Sequence, residues 1–424
     1  MTRVSGILLP IFSLRSSHDI GMGDFGALEG LFAWMRSAEQ RIFMTLPLLP
    51  TAHLDPSPYS TESAFGLNPM LIHLGWLPEG VAFTGEQQKS IEEARAADRI
   101  RYDLVTPLKM AALERAFATF DRQGTTARSR EFETWSIENS DWLDDYALFC
   151  ALSSAFGRRA FWDWPTPFAE RHPGALEAAR SEHRRSIRFH QWLQWVAEAQ
   201  WSKVRRQAKA HDILLCGDEP FMVSQNSPDC WRWPQFLRRD ARLGVPPDDF
   251  SADGQDWGLP WFDFEALEQD GDRWLRARAR KAANYYDMRR IDHAVGYFRQ
   301  YLRDEAHPRG HFRPEHASDQ QARGERNFRI LSEGASIVAE DLGVIPRFVR
   351  DTLARLELPG YQVMRWSRED GVYRDPRYYP EVSVVTTGTH DTETLRSWWE
   401  HAPPWERESV CKTWPELWRF PSVP

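Results

Sequence analysis

The chain has 424 residues, of which 42% are apolar and 13% aromatic, and its 53 basic and 61 acidic side chains leave a net charge of −8. That supplies a large core, arranged as one barrel with insertions or as two to three ordinary domains. Mild acidity without a long single-sign run argues against a nucleic-acid partner and against a polybasic membrane surface, and leaves a neutral or small one.

The first segment, MTRVSGILLPIFSL, has too short an apolar stretch for a signal peptide and lacks a small-residue cleavage site. No run approaches the roughly 18 apolar residues of a membrane span, so a cytoplasmic chain is expected. Seven short apolar or β-branched runs then follow in order: GILLP (6–10), FMTLPLLP (43–50), DILLCGDEP (212–220), DMRRIDH (287–293), SIVAEDLG (336–343), GYQVMRW (360–366) and VSVVTTGTHD (382–391). Helical periodicity separates several of them, as in RFVRDTLARLEL (347–358). Such alternation predicts an α/β fold with a parallel sheet, open or closed. Four runs end in acidic residues (GDEP, RIDH, AEDLG, GTHD), which is where a (β/α)8 barrel assembles its active site. A TIM barrel is therefore the expected architecture.

The interval between the second and third runs is far too long for one βα crossover. Its segments 87–120 and 185–212 have apolar residues at three-to-four spacing, so a mostly helical insertion subdomain over about residues 70–205 is expected within a single catalytic domain, 1–424. The charged stretch Arg303 to Arg326, with its Pro, His and Gly, reads as a mobile surface loop. Cys150, Cys216, Cys230 and Cys411 lack CxxC or metal-type spacing and read as reduced thiols in a reducing compartment. Twenty tryptophans fit both core packing and stacking on sugar rings.

Asp292, Glu340 and Asp391 each follow a strand-like run, so three carboxylates would meet at one rim. Two carboxyl groups roughly 5 Å apart perform retaining glycoside chemistry, one attacking the anomeric carbon and the other protonating the leaving oxygen. Asp292, with Arg290 two residues away on the same strand face, fits the nucleophile; Glu340, crowded by a second carboxylate, fits the acid; Asp391 would bind sugar hydroxyls. Each has a plain structural alternative. RID also describes a strand-end ion pair, and AED and GTHD followed by TET also describe helix caps.

Read in order, RVSGILLP, HDIGMGDFG, LPLLPT, SPYSTESAFGLNPMLI, GDEPFMV, GVPPDDFSADGQDWGLPWFDF, RIDH, IVAEDLG, LPGYQVM and GTHDTET resemble the 4-α-glucanotransferase (amylomaltase, disproportionating enzyme) family over most of the chain. The resemblance implies a TIM barrel with helical insertions, no cofactor, and transfer of α-1,4-glucan segments between maltooligosaccharides or to glucose by a retaining double displacement. It gives Asp292 the role of nucleophile, Glu340 that of general acid/base and Asp391 that of a substrate-distorting carboxylate. Arg290, His293 and His390 would contact the sugar at the cleavage point, and Tyr59 would border a sugar. The loop GVPPDDFSADGQDWG would cover the cleft, with Phe250 and Trp257 on sugar faces and Gln255 hydrogen-bonding, while Asp218 supports the pocket floor. The implied partner is a maltooligosaccharide or glycogen-type α-glucan.

The chain departs from the family pattern at Asp249 and Asp253 in that loop, at Asn226 after GDEPFMV, and at Ala294 and Val295 after RIDH. Beyond GTHD the family's last βα unit has no counterpart, so a barrel of seven strands is expected. Two other readings follow from these residues: an α-glucan hydrolase, and a non-catalytic or truncated α-glucan-binding homologue.

Overall fold

The computed structural model describes residues 3–52, 55–247, 253–369 and 371–414. Strands within them are β1 (Gly6–Leu8), β2 (Ile42–Met44), β3 (Leu214–Glu219), β4 (Leu237–Val245), β5 (Gln255–Phe262), β6 (Met288–Ile291) and β7 (Gln300–Arg303). After these come β8 (His311–Arg313), β9 (Ser336–Ala339), β10 (Gly360–Val363), the short hairpin β11 (Arg368–Glu369) and β12 (Val372–Tyr373), and β13 (Ser383–Thr386).

The seven apolar runs form the parallel wall of a TIM-type barrel. β1, β2, β3, β6 and β9 lie side by side, all parallel, and β10 pairs in parallel with β13. The two groups are joined where the Ala339 amide at the end of β9 donates to the Pro359 carbonyl at the start of β10, 2.9 Å away. Glycine is required within this wall at Gly217, where a Cβ would lie 2.3 Å from the Tyr286 ring.

Between β2 and β3 the chain runs through helices Gly85–Ala96, Tyr102–Arg122, Ala127–Glu138, Ser140–Ala155, Pro173–Glu182 and Arg184–Ala210. Thr84 and Thr126 start two of them with reciprocal capping boxes, which satisfy amides that the first turn leaves unpaired. The last helix does more than pack. Gln194 accepts from the Leu67 amide at 2.8 Å and donates to the Leu67 carbonyl at 2.9 Å, and Gln200 treats His73 the same way at 2.7 and 3.0 Å. Two buried side-chain amides thus hold the segment 67–73 as a neighbouring strand would.

Eight of the twenty tryptophans, Trp142, Trp164, Trp192, Trp195, Trp201, Trp231, Trp261 and Trp274, are buried in the core. The four cysteines are free thiols. Among the described residues no helix is long and apolar enough to cross a membrane.

Two expectations need correction. The stretch 303–326 is not a loop: β8 occupies His311–Arg313, and the helix Ala317–Leu331 buries Phe328, Ile330 and Leu331. Its charges mask a narrow apolar stripe, and they are paired, Arg323 with Glu265 and Arg326 with Glu268 and Asp272. Part of the segment GVPPDDFSADGQDWG, expected as a loop, is a regular strand. Gln255 and Trp257 lie on β5, inside an antiparallel sheet of order β5-β4-β7-β8. Phe250 and Asp249 fall outside the described residues.

Candidate active site

The site grows from three adjacent strands in register. Asp218 on β3 stands opposite Arg290 on β6, and Glu219 and Ile291 continue the row to Ala339 on β9. Asp292 and Glu340 are therefore the next residues out from neighbouring strands, whose axes are about 4.8 Å apart. The Asp292 amide donates to the Glu219 carbonyl at 3.1 Å, the Glu340 amide to the Ile291 carbonyl at 3.0 Å, and the Ala294 amide to the Glu340 carbonyl at 3.1 Å, which continues the ladder past the strand ends.

Side chains alternate faces along a strand, so Asp218, Arg290, Asp292 and Glu340 share the inner face while Glu219 and Arg289 point the other way. On that outer face Arg289, fully buried, donates to Glu219 at 2.8 Å, and Arg278 lies 3.6 Å from the same carboxylate. Arg278 also bonds the Pro220 and Phe221 carbonyls. These three side chains fix the strand ends from behind. The sequence carried a sign of them in its charged doublets, Asp218-Glu219 and Arg289-Arg290, because side chains alternate faces and one member of each doublet has to find a partner behind the sheet.

Arg290 is the hub of the inner face. Its Nη1 donates to Asp218 Oδ1 and Oδ2 at 2.9 and 3.0 Å and to Asp292 Oδ1 at 2.6 Å. Burial works against its charge, but Asp218 and Asp292 outweigh burial and hold the guanidinium protonated. Burial pushes the Asp218 carboxyl up to about 7 against the pull of Arg290. Tyr59 donates from its hydroxyl to Asp218 Oδ2 at 2.6 Å, and burial together with Asp218 raises its pKa. His390 Nε2 lies 2.7 Å from the same hydroxyl, and the two rings stack with centroids 5.2 Å apart.

Glu340 is held by backbone alone: its Oε2 accepts from the His293 amide and its Oε1 from the Leu342 amide, each at 2.9 Å. Burial pushes its carboxyl up to about 7; Arg290 pulls down and the neighbouring Asp292 charge pushes up. Asp341 does not cap the following helix. It turns away from the cleft and accepts from the Tyr361 amide at 2.7 Å, fixing β10. His293 takes a left-handed backbone, φ 46° and ψ 54°, a conformation that costs a non-glycine residue about 1–3 kcal/mol and that clusters at functional sites. Its ring meets Trp257 edge-on at 4.7 Å and Phe221 at 5.3 Å, and burial lowers its pKa to about 4.

Asp391 stands apart from this cluster. Its side chain is 73% exposed, and its contact is with His390 Nε2 at 3.3 Å. Arg365 steadies the loop from β13 by bonding the Glu393 carboxylate and carbonyl, both at 2.9 Å, and Thr394 caps the helix that follows. Gln255 accepts from the Trp257 indole at 3.1 Å. Asn226 accepts from the Phe161 amide at 3.0 Å, joining the helical region to the segment after β3. Among the described residues, no cluster of three metal-ligating side chains lies in this cleft.

The sequence model of a family described as 4-alpha-glucanotransferase matches residues 9–416. A 4-alpha-glucanotransferase of Thermus thermophilus is 32% identical over 426 residues, covering 97% of this chain and 83% of its own. One from Chlamydia muridarum is 30% identical over 407 residues, covering 94% and 76%. The solved amylomaltase from Streptococcus agalactiae, in complex with acarbose, superposes with a TM-score of 0.84 at 26% identity over all of this chain and 86% of that one. Since the matched span encloses the whole carboxylate cluster from Asp218 to Glu340, the chain belongs to the 4-alpha-glucanotransferase family.

Proposed function

We propose that the enzyme transfers α-1,4-glucan segments between maltooligosaccharides, or to glucose, by a retaining double displacement with Asp292 as nucleophile and Glu340 as acid/base. The observation that carries this reading is the pair of carboxyl groups issuing from adjacent, in-register strands, one bonded to Arg290 and the other raised by burial. In the first step Asp292 attacks the anomeric carbon while Glu340 gives its proton to the departing glucan oxygen. Once Asp292 is esterified its charge is gone, and one of the terms that raises Glu340 disappears with it. Glu340 then sits lower and takes the proton of the incoming sugar hydroxyl.

Trp257, on a regular strand and against His293, supports a covered cleft that keeps water from the glycosyl-enzyme. Asp391 belongs to the proposal as a carboxylate that engages hydroxyls once a sugar fills the rim. Tyr59, Asp218, His293 and His390 line the pocket around the hub, and no cofactor takes part. The helices between β2 and β3 are read as an insertion, about residues 70–205, in a single catalytic barrel spanning 1–424. Seven parallel wall strands stand among the described residues and support the barrel part of the proposal. Free cysteines support a reducing, cytoplasmic compartment.

Incubation with maltotriose, products separated by size and glucose quantified, is expected to give a ladder of longer oligosaccharides together with glucose. Growth of reducing ends without longer products would make the enzyme a hydrolase, and binding without turnover would make it a glucan-binding homologue. A second expectation concerns pH. Glycosylation needs Glu340 protonated, so kcat/KM for maltotriose should fall on the alkaline side with a midpoint near 7. Glu340→Gln should lower the rate by about 10²–10⁴-fold and flatten that limb. A limb unchanged in the variant would assign it to another group.

A further inference from the structure

The hairpin that joins β7 to β8 carries three side chains with no part in glucan chemistry. Asp304, His307 and His311 each offer a donor atom, and the three atoms lie within 4.8 Å of one another. His307 Nδ1 is 3.0 Å from Asp304 Oδ1, the His307 amide donates to that same oxygen at 2.7 Å, and the two imidazole rings pack with centroids 4.1 Å apart. Nδ1 of His311 is shielded from solvent and has no hydrogen-bond partner, a costly arrangement for a ring nitrogen. The turn that brings the histidines together is itself held. Gly310, at φ +86°, lies so close to Tyr301 that a Cβ would meet the ring at 2.3 Å, the Gly310 amide donates to the His307 carbonyl at 2.9 Å, and the Tyr301 hydroxyl donates to the Arg309 carbonyl.

We propose that this hairpin binds one divalent transition-metal ion of the zinc type through Asp304, His307 and His311. Two imidazoles and one carboxylate are borderline donors that favour Zn²⁺ over the hard, oxygen-seeking Ca²⁺ and Mg²⁺. Bonds of about 2.0–2.1 Å at tetrahedral angles need donors about 3.4 Å apart, which small rotations of these partly exposed side chains reach from the observed spacing. The ion supplies the partner that His311 lacks, and water takes the fourth position. It acts as a clamp. Arg303, next to Asp304, donates to the Asp253 carbonyl in the connection between β4 and β5, so the hairpin is tied to the strand that carries Trp257.

The test uses full-length protein dialysed against a chelator, titrated with Zn²⁺ by calorimetry and with Co²⁺ by its visible absorption. One equivalent of Zn²⁺ is expected, Co²⁺ should show the strong bands of a low-coordinate site, and Mg²⁺ should give no heat. His307→Ala and His311→Ala should each weaken Zn²⁺ binding by about 10–100-fold, with unchanged circular dichroism and unchanged maltotriose activity in the absence of metal. His307→Gln, close in size and polarity, serves if either alanine variant unfolds. Absence of saturable binding would overturn the proposal. So would binding that persists undiminished in the variants, which would place the ion on other residues such as the carboxylates of the cleft.

Discussion

Asp292→Asn is expected to abolish the maltotriose ladder, with a rate loss on the order of 10⁵–10⁶-fold, the scale seen when an enzymatic nucleophile is removed. An amide keeps the size of the side chain, and its oxygen still accepts from Arg290, so the fold should stay intact; what goes is the carboxylate proposed to form the covalent bond. A measured loss below about 10²-fold, with thermal unfolding unchanged, would remove Asp292 from the nucleophile's role and turn attention to Asp218, the other carboxylate on Arg290. Asp292→Ala with added azide gives a second readout, because a small anion that enters the space left by the truncated side chain restores turnover as an inverted glycosyl azide only if the missing group was the attacking one.

The largest effect on stability should come from Arg290→Met. The guanidinium is nearly inaccessible, and Asp218 beneath it is fully enclosed, so removing the cation strands a buried carboxylate and costs about 3–5 kcal/mol. Chemical denaturation should show the loss as a lower midpoint with the same slope. Adding Asp218→Asn to that variant removes the stranded charge and should return most of the stability, leaving activity absent because Asp292 has still lost its partner. Failure of the second substitution to restore the midpoint would mean that Arg290 contributes through packing and not through charge. The wild-type enzyme should respond to pH in the related sense. Asp218 and Glu340 both have folded values near 7, above those of the unfolded chain, so the stability linked to them is full below about pH 4 and is lost as pH rises through 7.

Much of this site could be read from the residues because barrel strands are short apolar runs that end where the chemistry begins. Arg290, Asp292 and Glu340 converge because RID and AED occupy equivalent positions on neighbouring strands. The antiparallel sheet was harder to see. LRRDARLGV on β4 and HFR on β8 look like solvated charge, since their arginines run over aromatic faces, Arg313 over Trp261 and Arg238 over the same ring, while Leu237 and Leu243 make the buried contacts. Long-range pairing decides such strands, and local composition does not contain it. The same limit hid Arg278, whose partners Glu219, Pro220 and Phe221 lie far from it in sequence, behind the face that carries Asp292 and Glu340.

The two glutamine clamps, at Gln194 and Gln200, have a consequence for how such an enzyme diversifies. The segment they grip leads back to Tyr59, which reaches the cleft from outside the barrel, whereas Asp292 and Glu340 are rooted in the barrel wall. Among the described residues, the helix Arg184–Ala210 and the segment it holds share no hydrogen-bonding partner with the two carboxyl groups, so the effects of substitutions there add to those in the barrel instead of compounding them. Changes at the border of the cleft that Tyr59 forms can therefore accumulate without disturbing the hydrogen bonds that hold Asp292 and Glu340.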